Sequence, residues 1–316
     1  MRPLALPCAA SALWLSLALA PNVSNTTTYA SDNGETVWVI ASNRGQIVVL
    51  DPATNNIVDI IDPRWGVTGD DIVVGANSVW TSSQASWVHR IDPVTRQVTA
   101  MVETGTYNHG IAVAGGQVLV GNGDDSYVTR IDPGTNDAVG RIVSESAVQD
   151  IVSNDGTVWA ATSDGSIHHF APTSSSFTNA IATDGAPTAL AAGTGNDVWA
   201  SDPYFDRVLH ITPSGIAQEI QLDLSSDEGR GLAVGLGSVW VATGDNNLLV
   251  RIDETTYEIL ARIDLGGWIE NVAIGTADVW VALPEDATVV RLDPMTNTVT
   301  ARIRVEGFPN ALVVVP

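Results

Sequence analysis

A Val-Trp step that returns every 39 to 42 residues, an Ile/Leu-Asp-Pro turn on the same beat, and the lack of any sustained helical period predict an all-β fold. The expected architecture is a single seven-bladed β-propeller with four strands in each blade. The first marker places Trp at 38, 80, 159, 199, 240 and 280, with Leu119 in the missing place. The second stands at 50–52, 91–93, 131–133 and 292–294, with weaker copies at Phe170-Ala171-Pro172, Ile211-Thr212-Pro213 and Ile252-Asp253-Glu254. Two independent markers in seven copies define a repeat of one blade's length.

In chain order, residues 1–30 read as a signal peptide. Arg2 supplies a positive start, and residues 9–20 form an apolar run too short to cross a bilayer. Cleavage is expected after Ala30, with Ala20 as the alternative, because Pro21 is a poor first residue. Cys8 is the sole cysteine and precedes the apolar run, so the processed chain is expected to carry neither disulfide nor thiol chemistry. No later stretch is long enough for a membrane helix, which places the protein in the secreted or periplasmic space. Residues 31–36 form a short lead-in, and 37–316 form the propeller.

Within the repeat, residues 231–265 show four strands most clearly. They are Gly231–Val234, Ser238–Ala242, Leu248–Ile252 and Glu258–Ile263, alternating with period two and separated by turn residues. The chain reaches its first marker at Val37-Trp38-Val39, a second strand with no first strand before it, and ends on Ala311–Val315, a first strand with none after it. Blade 1 is therefore expected to combine three N-terminal strands with one C-terminal strand, which removes a free sheet edge.

The markers themselves read as framework. Asp-Pro-x-Thr suits a type I turn, with Asp first, Pro second and a hydroxyl bonding the backbone. The repeated Trp residues suit blade-to-blade packing. Arg90, Arg130, Arg251 and Arg291 each stand two residues before Asp, so the spacing predicts ion pairs along one strand face. His89, His168, His169 and His210 lie on or near third strands and are expected to be structural.

Charge narrows the partners. With 36 acidic residues against 14 basic ones, all Arg, the net charge of −22 repels phosphate backbones and anionic lipid. Nucleic acid and acidic membranes are expected to be poor partners, no membrane span is expected, and a monomer is expected.

Function is sought where the repeats disagree. Two places before the first large apolar residue of each first strand stand Asp70, His109, Gln149, Thr188, Arg230, Glu270 and Asn310, seven different polar side chains. Two places earlier the column adds Tyr107, Trp268 and Phe308 beside Thr68, Ala147, Ala186 and Glu228. Varied polar groups with aromatics on their rim suit a small-molecule site at the channel mouth. Loops from second to third strands bring Trp87, Tyr127, Asp202, Tyr204 and Phe205 toward the same face. Asp124-Asp125 and Asp245-Asn246-Asn247 read as turns rather than calcium loops.

The run Val289-Val290-Arg291-Leu292-Asp293-Pro294-Met295-Thr296-Asn297-Thr298-Val299-Thr300-Ala301-Arg302-Ile303, followed by Gly307-Phe308-Pro309, resembles the YVTN-type repeats of exported bacterial β-propellers. Virginiamycin B lyase-like propellers are similar in the same way, and the resemblance covers residues 37–315. It implies a catalytic His and Glu near a divalent metal at the mouth, roles that fall on His109 and Glu270 with Asp70 beside them. The leading expectation is a binding or scaffold propeller that captures a small molecule or protein partner at the mouth and requires no cofactor. The alternative is a metal-assisted lyase or lactonase using Mg or Ca, and a third is a protein-interaction platform on the acidic rim.

Overall fold

Strands only three to seven residues long, with inner strands apolar on both faces, need cover on both sides, and a ring of radially packed sheets provides it. The computed structural model describes residues 34–63, 69, 71–83, 85–224 and 231–316. It contains seven four-stranded antiparallel sheets, each running from the channel outward in the order first to fourth strand. Blade 6 comprises Leu232–Gly235, Ser238–Ala242, Leu248–Asp253 and Ile259–Asp264, within one residue of the sequence expectation. The only helical element among the described residues is the 3-10 turn Pro203–Phe205. The expected signal segment, residues 1–30, lies outside the described residues.

Closure is as expected. The last strand, Pro309–Val315, pairs with Thr36–Ala41 through Val313 opposite Trp38, and Gln46–Asp51 and Asn56–Ile61 complete blade 1. The core is a set of seams between blades. Trp38 of blade 1 packs with Ile72 and Val79 of blade 2, and Trp240 of blade 6 packs with Val272 and Val279 of blade 7. All six repeat Trp residues are fully buried, and so is Leu119 in the seventh place. A buried indole removes 150–250 Å² or so of surface from water, which makes these positions the main apolar ties of the ring.

The arginine prediction needs correction. The guanidiniums of Arg90, Arg251 and Arg291 each lie over their own blade's Trp and reach sideways to the Asp-Pro turn of the next blade. Arg90 covers Trp80 and donates to the Pro133 carbonyl at 2.6 Å and to Asn136 Oδ1 at 2.8 Å. Arg251 covers Trp240 and reaches Pro294 and Asn297, and Arg291 covers Trp280 and reaches Pro52 and Asn55. The Arg291 staple ties the last blade to the first. The aspartates are occupied elsewhere, since Asp92 Oδ1 accepts the Val94 and Thr95 N–H groups at 2.9 and 2.8 Å. In blade 5, His210 takes the Arg place, stacked on Trp199 with its rings 4.6 Å apart and bonded to Asp197 and to the Tyr257 hydroxyl of blade 6.

The Asp-Pro turn is also one residue longer than expected. Its fifth residue donates its N–H to the Asp carbonyl and takes a left-handed conformation, as at Asn55, Arg96, Asn136 and Tyr257. The register of third and fourth strands slips just before this turn, between Arg90 and Ile91, Arg251 and Ile252, and Arg291 and Leu292. The extra residue is absorbed there as a repeated bulge.

Candidate ligand site at the channel mouth

The mouth is built by a second set of bulges. In blade 4, Val148 pairs with Thr162 and Asp150 with Ala161, so Gln149 has no partner in the ladder. In blade 3, Asn108 pairs with Asn122 and Ile111 with Val120, leaving His109 and Gly110 outside it. In blade 1, Pro309 and Ala311 are paired and Asn310 is passed over. A bulge adds a residue and turns its side chain out of the alternation of the strand. At these three blades the variable ring column is that extra residue.

Below the mouth, the first large apolar residue of every blade faces the channel. Ile72, Ile111, Ile151, Leu190, Leu232, Val272 and Leu312 form a seven-membered aliphatic collar around a cavity of about 380 Å³. His109, Gln149, Thr188 and Glu270 of the expected ring line the same cavity. Asn310 does not, and its amide donates to the Gly69 carbonyl at 3.0 Å, tying blade 1 to the neck of blade 2. Asp70 and Arg230 lie outside the described residues, as do Thr68 and Glu228.

The expected rim aromatics stand above this ring and outside the cavity lining. Tyr107 lies with its ring 6.0 Å from the His109 imidazole, and the Trp268 indole donates to Glu270 Oε2 at 2.7 Å. Tyr107 and Phe308 are 48% and 47% exposed. Their backbones are pinned by the neighbouring loops, because Gly123 N–H donates to the Tyr107 carbonyl and Ser42 N–H to that of Phe308. Asp125 holds the loop before Tyr107 by accepting the Thr106 N–H at 2.6 Å and hydroxyl at 2.9 Å. These bonds, the N–H first, keep its carboxyl below the usual range, and they give Asp125 the turn role expected of it.

His109 is seated with particular care. A Cβ on Gly123 would come within 2.5 Å of its Cδ2, so the imidazole rests directly on that glycine's backbone. The residue before it, Asn108, is buried and heads a chain of polar bonds. Asn108 Nδ2 donates to the Ser83 carbonyl at 2.9 Å, Asn122 Nδ2 donates to Asn108 Oδ1 at 2.6 Å, and the Thr129 hydroxyl donates to Asn122 Oδ1 at 2.7 Å. A buried network of this kind has one good arrangement and fixes the bulge it supports.

The second-to-third-strand loops divide. Tyr204 and Phe205 stand at the surface as an edge-to-face pair. Tyr127 lies under the Arg141 guanidinium, 4.0 Å from its ring centroid. Asp202 is fully buried, its carboxylate paired with Arg207 at 2.8 Å and accepting the Ala186 N–H at 3.1 Å. That carboxylate is committed to holding two loops of blade 5 together.

The sequence column missed the residues next to it. Asp71 and Asp150 also line the cavity, and each bridges to a neighbouring first strand. Asp71 Oδ2 accepts the Ile111 N–H at 2.8 Å, and Asp150 Oδ2 accepts the Leu190 N–H at 2.7 Å. Burial first, and Asp71 second, push the Asp150 carboxyl up to about 8. The alternation of Asp71, Gly110, Asp150 and Ala189 along consecutive blades was the available signal. A small residue stands wherever the preceding blade's carboxylate crosses.

No protein-family model matches the sequence, and neither does any curated protein. Solved structures do resemble it. A protein from Bacteroides fragilis provisionally named a 6-phosphogluconolactonase superposes with a TM-score of 0.72 at 14% identity, over 89% of this chain and 98% of that one. Kuenenia stuttgartiensis hydrazine synthase gives 0.70 at 16%, over 78% and 89%. Virginiamycin B lyase from Staphylococcus aureus gives 0.66 at 16%, over 76% and 86%. The chain shares the propeller fold with all three, and at these identities the likeness extends to the fold alone.

Proposed function

We propose that this protein is an exported binding propeller that captures a small molecule in the cavity at its channel mouth. The observation that carries this reading is the cavity itself, with four ring residues from different blades above a complete aliphatic collar. Its volume lies within the usual 300–1,000 Å³ or so of small-molecule sites. Export rests on the apolar run at residues 9–20. Among the described residues no helix is long and apolar enough to cross a membrane. The test is a small-molecule screen scored by melting temperature, run on the parent and on His109→Ala with Glu270→Ala. A ligand at 100 times its Kd adds about 2.7 kcal/mol, several degrees at this size. Hits on the parent that vanish in the double variant are expected, and hits retained at full affinity would move the site elsewhere.

A second reading is a lyase or lactonase with His109 and Glu270 as a proton-transfer pair. It is favoured by one observation, that an imidazole and a carboxylate from blades 3 and 7 line one cavity. Asp70, the third residue expected at the metal that the family resemblance implies, lies outside the described residues. Among the described residues no group of three His, Cys, Asp or Glu side chains is placed to hold an ion. Turnover of a lactone or depsipeptide that survives chelator and is lost in His109→Ala would establish this reading over simple binding.

A further inference from the structure

The seam between blades 3 and 4 departs from the repeat. Leu119 stands where the other blades carry Trp, and Ala171 replaces the Asp of the turn in blade 4. The third and fourth strands of that blade, Ser166–Phe170 and Ala180–Ala182, are joined by nine residues, against two to six in the other blades. These nine, 171–179, form a strap that lies against blade 3. Val143 ends that blade's fourth strand, Asp137–Val143, and its N–H donates to the Ser175 carbonyl at 3.0 Å. The Phe177 N–H donates back to the Val143 carbonyl at 3.0 Å, and Ser176 and Val143 form a parallel bridge. Phe177 stacks on Phe170 with ring centroids 4.4 Å apart and packs on the core cluster that contains Leu119. The strap thus covers the sheet edge of one blade and fills a seam that lacks its indole.

We infer that this strap is an acid-released latch, held shut by a neutral His168 beneath Phe177 and freed when that imidazole gains a proton. The His168 ring lies 5.1 Å from that of Phe177, and its Nδ1 is buried with no hydrogen-bond partner. A neutral ring can leave one nitrogen as an unused acceptor, whereas the imidazolium carries a donor on both nitrogens. A charged donor shut away from any acceptor costs far more than an idle lone pair. Burial, the leading cause, accordingly lowers His168 below its ordinary 6.5. The Asp164 carboxylate in the turn before this strand, the Thr178 carbonyl on the strap and the Glu145 carboxylate from blade 3 favour the charged form, and His169 opposes it. No residue from 171 to 179 is charged, and Ala180–Ala182 adds none. With Phe177 lifted away, water reaches the ring and the two carboxylates stabilise the cation, so protonation and closure oppose each other.

Little else holds the strap. The Thr178 hydroxyl and the Asn179 amide donate to the His169 carbonyl at 3.3 and 3.1 Å, and both bonds are exposed. Exposed hydrogen bonds and few buried contacts mark a segment that opens at low cost. Closure keeps its full stability above the free histidine value of 6.5 and loses it as pH falls from there toward the lowered value of the closed form. Opening should grow by up to about tenfold per unit over that window. It bares the N–H and carbonyl of Val143, an unpaired edge of the kind that accepts a strand from another chain.

The experiment is hydrogen–deuterium exchange of the full chain from pH 8 to pH 5, with each rate divided by that of the unstructured peptide at the same pH. Between pH 7 and pH 5.5 the amides of Val143 and Phe177 are expected to lose protection by up to about tenfold, while those around the Arg291 staple keep theirs. His168→Phe keeps the aromatic contact without the proton and should hold the strap shut at both pH values. Phe177→Ala should leave it open at both. Imidazole NMR supplies a second measure, in which the His168 midpoint rises in Phe177→Ala, and it decides if His168→Phe does not fold. Flat protection in the parent, an equal fall in His168→Phe, or a loss spread over every blade overturns the inference. So does a His168 midpoint that Phe177→Ala leaves unmoved.

Discussion

On the face of the Asp-Pro turns, Arg90, Arg251 and Arg291 make the same contact three times, each over its own Trp and into the next blade's turn. On the mouth face no two blades present the same side chain in the ring column. The difference comes from how each position meets the sheet. A staple joins two blades, so its residue type is dictated by a neighbour that recurs around the ring. A bulged residue such as Gln149 has no ladder partner, so nothing in the fold dictates what it is. Variation therefore gathers where the architecture leaves a residue unconstrained, and His109, Gln149, Thr188 and Glu270 of that column line the cavity.

The largest break is topological. Deleting residues 309–316 removes the strand that pairs with Thr36–Ala41 and should abolish cooperative melting, leaving aggregated protein on size-exclusion chromatography. A truncated chain that melts like the parent would contradict the closure. Next comes the staple across that closure. Arg291→Ala removes bonds to Pro52, Asn55 and Asp278 and should cost about 2–3 kcal/mol in denaturant unfolding, as charged hydrogen bonds do. Arg96→Ala, which removes only a 3.4 Å contact to Asp59, should cost well under half of that.

The two faces should also titrate in opposite senses. Asp92, Asp253 and Asp293 lie below the ordinary carboxylate range, chiefly because the N–H groups of Thr95, Thr256 and Met295 favour the charged form. Their contribution is complete above the unfolded value near 3.8 and is lost as pH falls through the folded values. Asp150 is raised to about 8, so the folded state binds a proton that the unfolded state releases. Its contribution is complete below the unfolded value and declines as pH rises from about 4 to about 8. Melting temperature against pH should lose its fall over that upper range in Asp150→Asn, and its acid limb should soften in Asp293→Asn. The same slope in Asp150→Asn as in the parent would show that this carboxyl is not the source.

The smallest expected change in stability is at the ring. His109→Ala with Glu270→Ala should leave unfolding within about 0.5 kcal/mol of the parent, because side chains facing a wet cavity have water as an alternative partner. Asp92→Ala with Asp132→Ala, in the turns, should destabilise clearly, since each carboxylate accepts backbone N–H groups there. Equal losses in the two double variants would erase the distinction between the faces.

Much of this was open to sequence reading. Blade number, strand bounds within a residue in blade 6, and the split closure all follow from local patterns repeated at a fixed period, which survive any detail of packing. His109, Gln149, Thr188 and Glu270 were also legible, as disagreement inside an otherwise regular column. Asp71 and Asp150 were not. Strict strand alternation turns the residue after Gln149 away from the channel, and only the bulge lets both face it. Arg90 was misassigned for a related reason, because strand spacing places Asp92 on its face while the better partners lie 43 and 46 residues further along the chain.

Sequence by itself determined the ring: how many blades, which residues seal the seams between them, and where the chain's two ends meet. These depend on the period of the pattern and on the burial of large apolar side chains, both of which act within a repeat or between identical neighbours. Tertiary structure alone decided the contents of the mouth. Which carboxylate reaches which N–H and where Gly110 opens a space depend on distances between different blades. A linear pattern carries no record of such distances, because each is set by the curvature of the closed ring.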